Sequence, residues 1–388
     1  MPILQKNHRI LKIPLSAGIL TATIASMHIA AAHMSSPLRL GYVALVDCAP
    51  LLVARELGLF AKRGVDVELS MQPGWATIRE KLIYRELEGA HALATMAITM
   101  RLGVGCPATE VETSLVLNLQ GNAITLSRRL WAKGVRDGHS LRRLIRSEGT
   151  GRRMNLGVVS SVSSHHILMR RWLRSCGIDP DEDVRLLIVP PSLTHELMSS
   201  GYLEGYCVGE PWNSVAILAG DGWCAATSEN LAPLHPEKAL LVRSEFAASR
   251  AEEYNAMLDA LREACQWCDS PKNRPALVDM LFESRVLNVP REALECALIG
   301  PFQMGHGESV SADTFILFSR FEANRPDAQK ARWLTEGLAE ARILPSDFAR
   351  KRDQVLAGFH DEPGEAVPPV PTERKVKKSV APKKESGH

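Results

Sequence analysis

The chain has 388 residues, of which 45% are hydrophobic and 23% charged, and its formal net charge is +2. This composition is typical of a soluble globular protein, and the length allows two or more packed cores. A charge so close to zero provides neither a general basic field for nucleic acid nor an acidic one for cations. We therefore expect no direct binding of nucleic acid.

The eight cysteines are scattered, and only Cys265 and Cys268 form a C-x-x-C pair. No second pair or histidine grouping accompanies them, so the sequence predicts no zinc site, and we expect no cofactor. Most cysteines have apolar neighbours, as in the segment 205–208, which indicates buried free thiols. Free thiols are typical of a reducing compartment and favour a cytoplasmic protein.

The first 36 residues favour a different location, outside the cytoplasm. Basic residues precede a mostly apolar run at 13–32, which ends in Ala30-Ala31-Ala32 as a secretory signal does. Polar residues dilute this run, so it predicts no membrane span. Residues 1–33 are therefore a cleaved signal, which implies a periplasmic protein, or a disordered extension, or an artefact of start-site choice with Met34 as the true start.

The first predicted elements alternate between strands and helices. They are, in chain order, a strand at 38–44, a helix at 50–60, a strand at 65–69, a helix at 77–87, a strand at 90–93, and strands at 114–119 and 123–127 around Gly121-Asn122. This alternation is typical of a parallel sheet with helices on both faces. The turn residues indicate a crossover at a lobe boundary.

A second α/β set follows. It comprises a strand at 155–159, a helix at 164–176 with Ser164 as its N-cap, a strand at 184–189, a helix at 193–200, a strand at 205–208, a helix at 212–219 and a strand at 239–243, before mainly helical segments near 252–268, 274–285 and 325–342. Two such sets joined by two crossovers predict a hinged body with a ligand cleft. We assign residues 37–122 and 236–350 to lobe I and residues 123–235 to lobe II. The Lys- and Pro-rich residues 362–388 are predicted to be a disordered tail.

Common enzyme motifs are absent: the sequence contains no nucleophile elbow, phosphate loop, dinucleotide fingerprint or H-E-x-x-H. Seven other blocks carry a resemblance instead. They are Gly74–Arg79, Gly89–Ala94, Leu117–Ser127, Ser163–His166 with Arg170 and Trp172, Val189–Pro191, Gly205–Asn213 and His235–Lys238. In this order they resemble the nitrate/bicarbonate-binding NrtA/CmpA-type family of solute-binding proteins, and especially its NasS sensor branch.

The resemblance implies a two-lobed, type II periplasmic-binding-protein-like α/β fold without enzymatic activity. Nitrate is planar and only accepts hydrogen bonds, so its site needs a flat wall, several N–H donors and one cation, and we expect no carboxylate to face it. Trp75 offers the wall, although a tryptophan at the edge of the core is the structural alternative. Thr77 lies at the start of the same predicted helix, where free amides favour an anion.

Asn122, His165 and Lys238 complete the predicted ligand set. Asn122 lies in the predicted crossover, where its side-chain amide can donate a hydrogen bond to the anion. The structural alternative is that Asn122 only forms the turn. By resemblance, the nitrate transport branch has glutamine at this position. His165 lies at a predicted helix start that favours an anion, and the resemblance selects it over His166. Lys238 is placed in the return crossover after Pro236, and only the resemblance marks it as a ligand.

Lys238 also favours one ligand over another. By resemblance, the bicarbonate branch has an acidic residue here, which accepts the ligand's proton and holds a metal ion. A lysine does neither, so the sequence favours nitrate or nitrite and no metal. Glu210 is expected to support the site by capping a helix or orienting a donor.

The resemblance also implies a partner. The sensor branch binds an ANTAR-type RNA-binding antiterminator (NasT-like) and releases it when the ligand binds, so we predict a cytoplasmic nitrate sensor of nitrate assimilation. The alternative is the periplasmic substrate-binding subunit of an ABC-type nitrate importer, whose partner is a permease. An enzyme of the thiamine-pyrimidine synthase type would need a clustered cysteine motif, and the cysteines here are scattered.

Overall fold

The computed structural model describes residues 36–148 and 153–360. The predicted signal or extension, except Ser36, and the predicted tail at 362–388 lie outside these ranges. Among the described residues, no helix combines the length and apolar character that crossing a membrane requires.

The strands occupy the following positions: β1 Leu38–Val43, β2 Val67–Gln72, β3 Gly89–Leu93, β4 Val111–Glu112, β5 Val116–Gln120, β6 Asn122–Ser127, β7 Met154–Val158, β8 Val184–Ile188, β9 Gly205–Gly209, β10 Gly222–Thr227, β11 Pro236–Arg243, β12 Phe302–Gly305, β13 Glu308–Val310 and β14 Ile316–Leu317. The predicted strands are thus present with shifted ends. Strands β4, β10 and β14 and the β12–β13 hairpin were not predicted.

The α-helices occupy the following positions: α1 Ala49–Glu56, α2 Trp75–Ile83, α3 Met96–Thr99, α4 Arg128–Ala132, α5 Gly138–Glu148, α6 Ser164–Ser175, α7 Thr194–Ser199, α8 Trp212–Leu218, α9 Ser228–Leu231, α10 Ser244–Ser249, α11 Ala251–Asp269, α12 Arg274–Glu283, α13 Arg291–Leu298, α14 Ala328–Glu340 and α15 Phe348–Leu356.

The first sheet has the order β14-β5-β11-β3-β1-β2, with β4 beside β11. Strand β1 pairs in parallel with β2 and β3, as the alternation predicts. Strand β11 runs antiparallel between β3 and β5. The sheet is therefore mixed, because its central strand returns from the second lobe.

The second sheet has the order β10-β6-β9-β7-β8. Strand β7 pairs in parallel with β8 and β9, and β6 runs antiparallel to β9 and β10. The chain enters this sheet between β5 and β6 and leaves it between β10 and β11. Because β6 begins at Asn122, this residue belongs to the second lobe, one residue earlier than the assigned boundary. The protein thus has the predicted two-lobed α/β architecture, with two crossovers.

The two crossovers are tied together by one side chain. Gln120 has a φ of 61° and Leu234 a φ of 60°, and both therefore lie in the left-handed region that most residues avoid. The Gln120 amide donates to the Thr314 carbonyl over 2.6 Å and its oxygen accepts from the Leu234 N–H over 2.7 Å. These contacts fix where β6 and β11 begin, and both strands carry residues of the site described next.

Apolar clusters cover both faces of the first sheet, and one of them extends to Tyr206 and Val208 of the second lobe. A further cluster fills the second lobe around Leu156 and Trp172. All eight cysteines are free thiols, and only Cys106 and Cys296 among them are partly exposed.

Candidate functional site

Strand β11 brings two opposite charges to one place. Glu237 and Lys238 are neighbours, and successive residues of a strand normally point to opposite faces of the sheet. The pairing of β11 with β5 shifts register on both sides of Lys238, and such bulges re-aim side chains. The Lys238 ammonium therefore lies 2.6 Å from Glu237 Oε1. The predicted crossover position of Lys238 is wrong, because the strand begins at Pro236.

A second carboxylate shares the same ammonium. Asp47 Oδ2 lies 2.7 Å from Lys238 Nζ, and the side chains of both residues are almost wholly buried. The expectation that no carboxylate faces this site is therefore wrong. The physical reason is that a buried ammonium needs counter-charges to replace its lost hydration.

These opposite charges hold one another in the ionised state. Burial alone would raise the pKa of both carboxylates, but Lys238 reverses this effect, so the pKa of Asp47 is lowered and that of Glu237 lies well below its usual range. Burial alone would lower the pKa of Lys238, and the two carboxylates raise it instead. The cluster therefore holds two negative charges and one positive charge.

Glu237 also joins the two lobes. Its Oε2 accepts hydrogen bonds from Asn122 Nδ2 over 2.7 Å and from the Ser164 hydroxyl, both on the second lobe. His235 Nε2 lies 3.3 Å from the same oxygen. His165 Nε2, also on the second lobe, lies 3.5 Å from Oε1 without forming a hydrogen bond. One carboxylate on β11 therefore draws together donors from three separate segments.

His165 lies in the first turn of α6. The N-cap is Ser163, which accepts from the His166 N–H over 3.1 Å, so the predicted Ser164 cap is wrong. Ser164 bonds to Glu237 instead. His165 is completely buried, and neither ring nitrogen has a hydrogen-bond partner. Burial lowers the pKa of His165 to about 4, although Glu237 opposes this shift, so the ring is neutral.

His91 packs on the other side of the cluster. Its Nε2 lies 2.8 Å from Asp47 Oδ1, and it is the donor because a carboxylate only accepts. Burial lowers the pKa of His91, so this ring is also neutral. Its centroid lies 5.5 Å from that of Trp75.

Trp75 forms an apolar wall of the cluster. It begins α2, is 4% exposed, and its ring centroid lies 5.3 Å from Lys238 Nζ, within the range of a cation–π contact. Its indole Nε1 has no hydrogen-bond partner. Thr77 lies two residues further along the same helix, is partly exposed, and makes none of these contacts.

Four N–H groups in the cluster have no acceptor among the described residues. Lys238 has three N–H bonds and directs two of them at Asp47 and Glu237. Asn122 donates one of its two amide N–H bonds to Glu237. The indole of Trp75 and the ring of His165 supply the other two groups. The arrangement can therefore donate to a small acceptor from both lobes at once.

Glu210 and Gly209 border the cluster. The Glu210 carbonyl accepts from Val46 across the lobes over 2.8 Å, and its side chain accepts from the Ser214 N–H at the start of α8 over 3.3 Å. Burial raises the pKa of Glu210 to about 7. A Cβ on Gly209 would lie 3.4 Å from Asn122 Oδ1, so the backbone of β9 approaches the cluster closely.

Sequence reasoning missed Asp47, His91 and Glu237, although each left a signal. Asp47 is the only charged residue between Leu40 and Ala54, and His91 stands alone in a predicted buried strand. Single polar residues in apolar runs indicate paired groups in the interior. Glu237 directly precedes Lys238, which the sequence predicted as a ligand residue.

A cavity of about 280 Å³ opens between elements of the two lobes. None of the predicted ligand residues lines it. Its walls comprise Val43, Ala44, Met71, Gln72, Pro73, Pro191, Ser192, Trp212, Val286, Leu287 and Asn288. In the described ranges, no group of three or more His, Cys, Asp or Glu side chains has the geometry to hold a metal ion.

The chain belongs to the NMT1-like family, whose profile matches residues 31–282. It is 34% identical over 307 residues to the nitrate import ATP-binding protein NrtC of Synechocystis sp., a match that covers 78% of this chain and 45% of NrtC. It is also 34% identical over 324 residues to the bicarbonate transport ATP-binding protein CmpC of Synechococcus elongatus, covering 82% and 47%. The chain thus spans about half the length of these two relatives.

Two further matches cover more of the similar protein. The nitrate/nitrite binding protein NrtA of Synechococcus elongatus is 32% identical over 311 residues, which cover 77% of this chain and 70% of NrtA. The crystal structure of the periplasmic nitrate-binding protein NrtA from Synechocystis PCC 6803 has a TM-score of 0.77 at 26% identity and covers 85% of this chain and 92% of that one. These matches confirm the periplasmic-binding-protein-like fold and place the chain among non-enzymatic binding proteins.

Proposed function

We propose that this protein binds nitrate or nitrite between its two lobes. The observation that supports this is a set of four N–H groups, one of them on the buried Lys238 itself, that have no acceptor among the described residues. Nitrate and nitrite only accept hydrogen bonds, so they match a site whose unused groups are mainly donors. The flat ring of Trp75 suits a planar anion. The similarity to NrtA supports the same ligand class.

The burial of the cluster implies how the ligand enters. Asn122, His165 and Lys238 have no exposed surface. Because Asn122 and His165 belong to one lobe and Lys238 to the other, separating the lobes would expose the donors to solvent. Closure around the anion is therefore part of the proposal, with the two crossovers as hinges.

Bicarbonate is the competing ligand. Relatives named for nitrate and for bicarbonate are equally similar to this chain. Asn122 Oδ1 has no partner and Asp47 retains acceptor capacity, so a ligand hydroxyl would find an acceptor. The absence of an acid at position 238 is therefore a weaker argument against bicarbonate than the sequence suggested.

Calorimetry with sodium nitrate, sodium nitrite and sodium bicarbonate tests the ligand. We expect saturable one-site heats with nitrate or nitrite. A saturable heat with bicarbonate alone would show that bicarbonate, and not nitrate or nitrite, is the ligand. Absence of heat with all three salts would contradict the proposal.

For the role of binding we propose a cytoplasmic nitrate sensor that controls an ANTAR-type antiterminator. The eight free thiols support a reducing compartment. The test is co-purification of such an antiterminator with this chain in anion-free buffer, followed by elution with nitrate. We expect capture and nitrate-dependent release, and failure of capture would contradict the sensor role.

The N-terminal sequence favours one alternative, the periplasmic substrate-binding subunit of a nitrate importer. Basic residues, an apolar run and Ala30-Ala31-Ala32 stand in the order of a secretory signal. Mass spectrometry of the protein from its native host distinguishes the two roles. A mature chain that begins at His33, directly after Ala32, supports the importer, and a chain that begins at Met1 or at Met34 supports the sensor.

A further inference from the structure

We infer that the cleft takes up its anion together with one proton, and that His165 holds this proton. The inference rests on the proposed anion site and deepens it, because it makes the ligand an anion–proton pair. It assigns a role to Asp47 and Glu237, which sequence reasoning left out.

The charges inside the cluster provide the first step. Asp47 and Glu237 carry two negative charges and Lys238 one positive charge, while the rings of His91 and His165 are neutral. Without a further cation the sum is −1. The site therefore has no excess positive charge for a ligand.

His235 is a further histidine that faces the cluster. Its Nδ1 lies 3.0 Å from the Ala232 carbonyl and its Nε2 lies 3.3 Å from Glu237. Even one additional positive charge at the cluster would bring the sum only to zero. A bound monovalent anion therefore leaves the buried cluster with a net negative charge.

A proton removes this imbalance. Burying an unbalanced charge is expensive, and ionisable groups in such sites change their protonation state instead. The carboxylates are poor proton acceptors here, because Lys238 and their hydrogen bonds stabilise the ionised form. A neutral histidine beside the anion is the better acceptor.

His165 has the geometry for this role. Its Nε2 already lies 3.5 Å from Glu237 Oε1, and its Nδ1 has no partner. A doubly protonated ring can donate to Glu237 from one nitrogen and to the anion from the other. His91 also has an Nδ1 without a partner, but its Nε2 is already bonded to Asp47, whereas neither ring nitrogen of His165 has a hydrogen-bond partner. The groups facing His165 from other segments are Glu237, Lys238, Asp47 and His235.

The anion and the proton then stabilise one another. The free ring has a pKa of about 4 and the bound anion raises it, so a proton is taken up between these two pKa values. In this window nitrate affinity falls about tenfold for each unit of rising pH. Below the lower pKa and above the upper one, the affinity is independent of pH.

The test measures protons and anions together. Nitrate is added to weakly buffered protein in a pH-stat at about pH 5, just above the pKa of the free ring, and the acid needed to hold the pH is compared with the amount of nitrate bound by calorimetry. Calorimetry between about pH 5 and about pH 6 supplies the dependence of the affinity on pH. In this range we expect close to one proton per nitrate and a tenfold loss of affinity per pH unit.

His165→Gln identifies the acceptor, since glutamine retains a donor and cannot be protonated. We expect weaker, pH-independent binding without proton uptake. His166→Gln is the matched control, because His166 is also buried on α6, has a pKa lowered by burial to about 4 and bonds to Ser161 outside the cluster. This control should retain proton uptake, and thermal melts show that both variants fold.

The outcomes separate this inference from the proposed function. Nitrate binding by the unaltered protein without proton uptake overturns the inference and leaves the proposed function intact. Proton uptake that persists in His165→Gln overturns the assignment to His165. The stoichiometry of the unaltered protein decides the coupling even where His165→Gln loses binding. No nitrate binding at all overturns both.

Discussion

Two buried carboxylates, Asp269 and Glu237, stabilise this molecule in different ways. Asp269 is 3% exposed and accepts from the backbone N–H groups of Ser319 and Arg320 over 2.9 and 2.7 Å, while Arg274 lies 3.1 Å away. These partners belong to one lobe. The partners of Glu237 come from both lobes.

The difference shows that burial and hydrogen bonding alone do not mark a binding site. The partners of Asp269 fix the loop that follows the β14 strand against the end of α11. Around Glu237, a second carboxylate shares the same lysine, and several neighbouring N–H groups have no acceptor. Unused donors at a lobe boundary indicate ligand binding, whereas used donors within one lobe indicate structure.

The largest effect is expected from Lys238→Met. This change leaves Asp47 and Glu237 without their cation in a completely buried place. The free energy of unfolding in urea should fall by about 3–5 kcal/mol. Lys330→Met is the matched control, because Lys330 is also buried but its partner Asp327 is 30% exposed. The free energy of unfolding of Lys330→Met should fall by only about 1 kcal/mol. Equal losses in the two variants would show that Lys238 is no more important to stability than Lys330.

Asp269→Asn tests the structural carboxylate. The change leaves the buried Arg274 without its counter-charge, so the free energy of unfolding should fall by about 3 kcal/mol. Nitrate affinity by calorimetry should remain unchanged, since the partners of Asp269 do not belong to the cluster around Lys238. A large loss of affinity in the folded variant would show that the two regions are coupled.

Glu210 extends the comparison to a buried carboxylate without a nearby cation. Burial raises its folded pKa to about 7, above that of an unfolded chain, so its contribution to stability is lost as the pH rises from about 4.5 through 7. Glu210→Gln should therefore raise the free energy of unfolding by about 3 kcal/mol at pH 8. At about pH 4 the two proteins should have nearly the same free energy of unfolding. An equal gain in stability at both pH values would contradict the raised pKa of Glu210.

The smallest effect concerns one hydrogen bond to the ligand. Trp75→Phe keeps an aromatic wall and removes the indole N–H, so nitrate affinity should fall about five- to tenfold, which corresponds to about 1 kcal/mol. Trp223→Phe is the matched control, because its buried Nε1 also has no partner but lies against Trp131 in the second lobe. Equal affinities of the two variants would remove Trp75 from the site.

Much of the site could be predicted from the sequence, because the resemblance selected residues that the topology brings together. Trp75 follows β2, Asn122 begins β6, His165 follows β7, and Lys238 lies in β11. Their side chains meet around Glu237 and Lys238. Thr77 was selected for its place in the helix start, but it takes no part in the cluster.

The remainder depended on features that local patterns do not show. Strict alternation along β11 would separate Glu237 from Lys238, and only the bulge in its pairing with β5 places them together. Asp47 and His91 become site residues through pairing between distant segments. Sequence reasoning therefore identified the donors and missed the carboxylates that orient them.

A crystal structure of the protein grown with nitrate would locate the bound anion directly. We expect one nitrate between the lobes, stacked near Trp75, with oxygens within hydrogen-bond distance of Trp75 Nε1, Asn122 Nδ2, a ring nitrogen of His165 and Lys238 Nζ. Nitrate bound instead in the cavity lined by Gln72 and Trp212, or a cluster that never contacts the anion, would contradict this expectation.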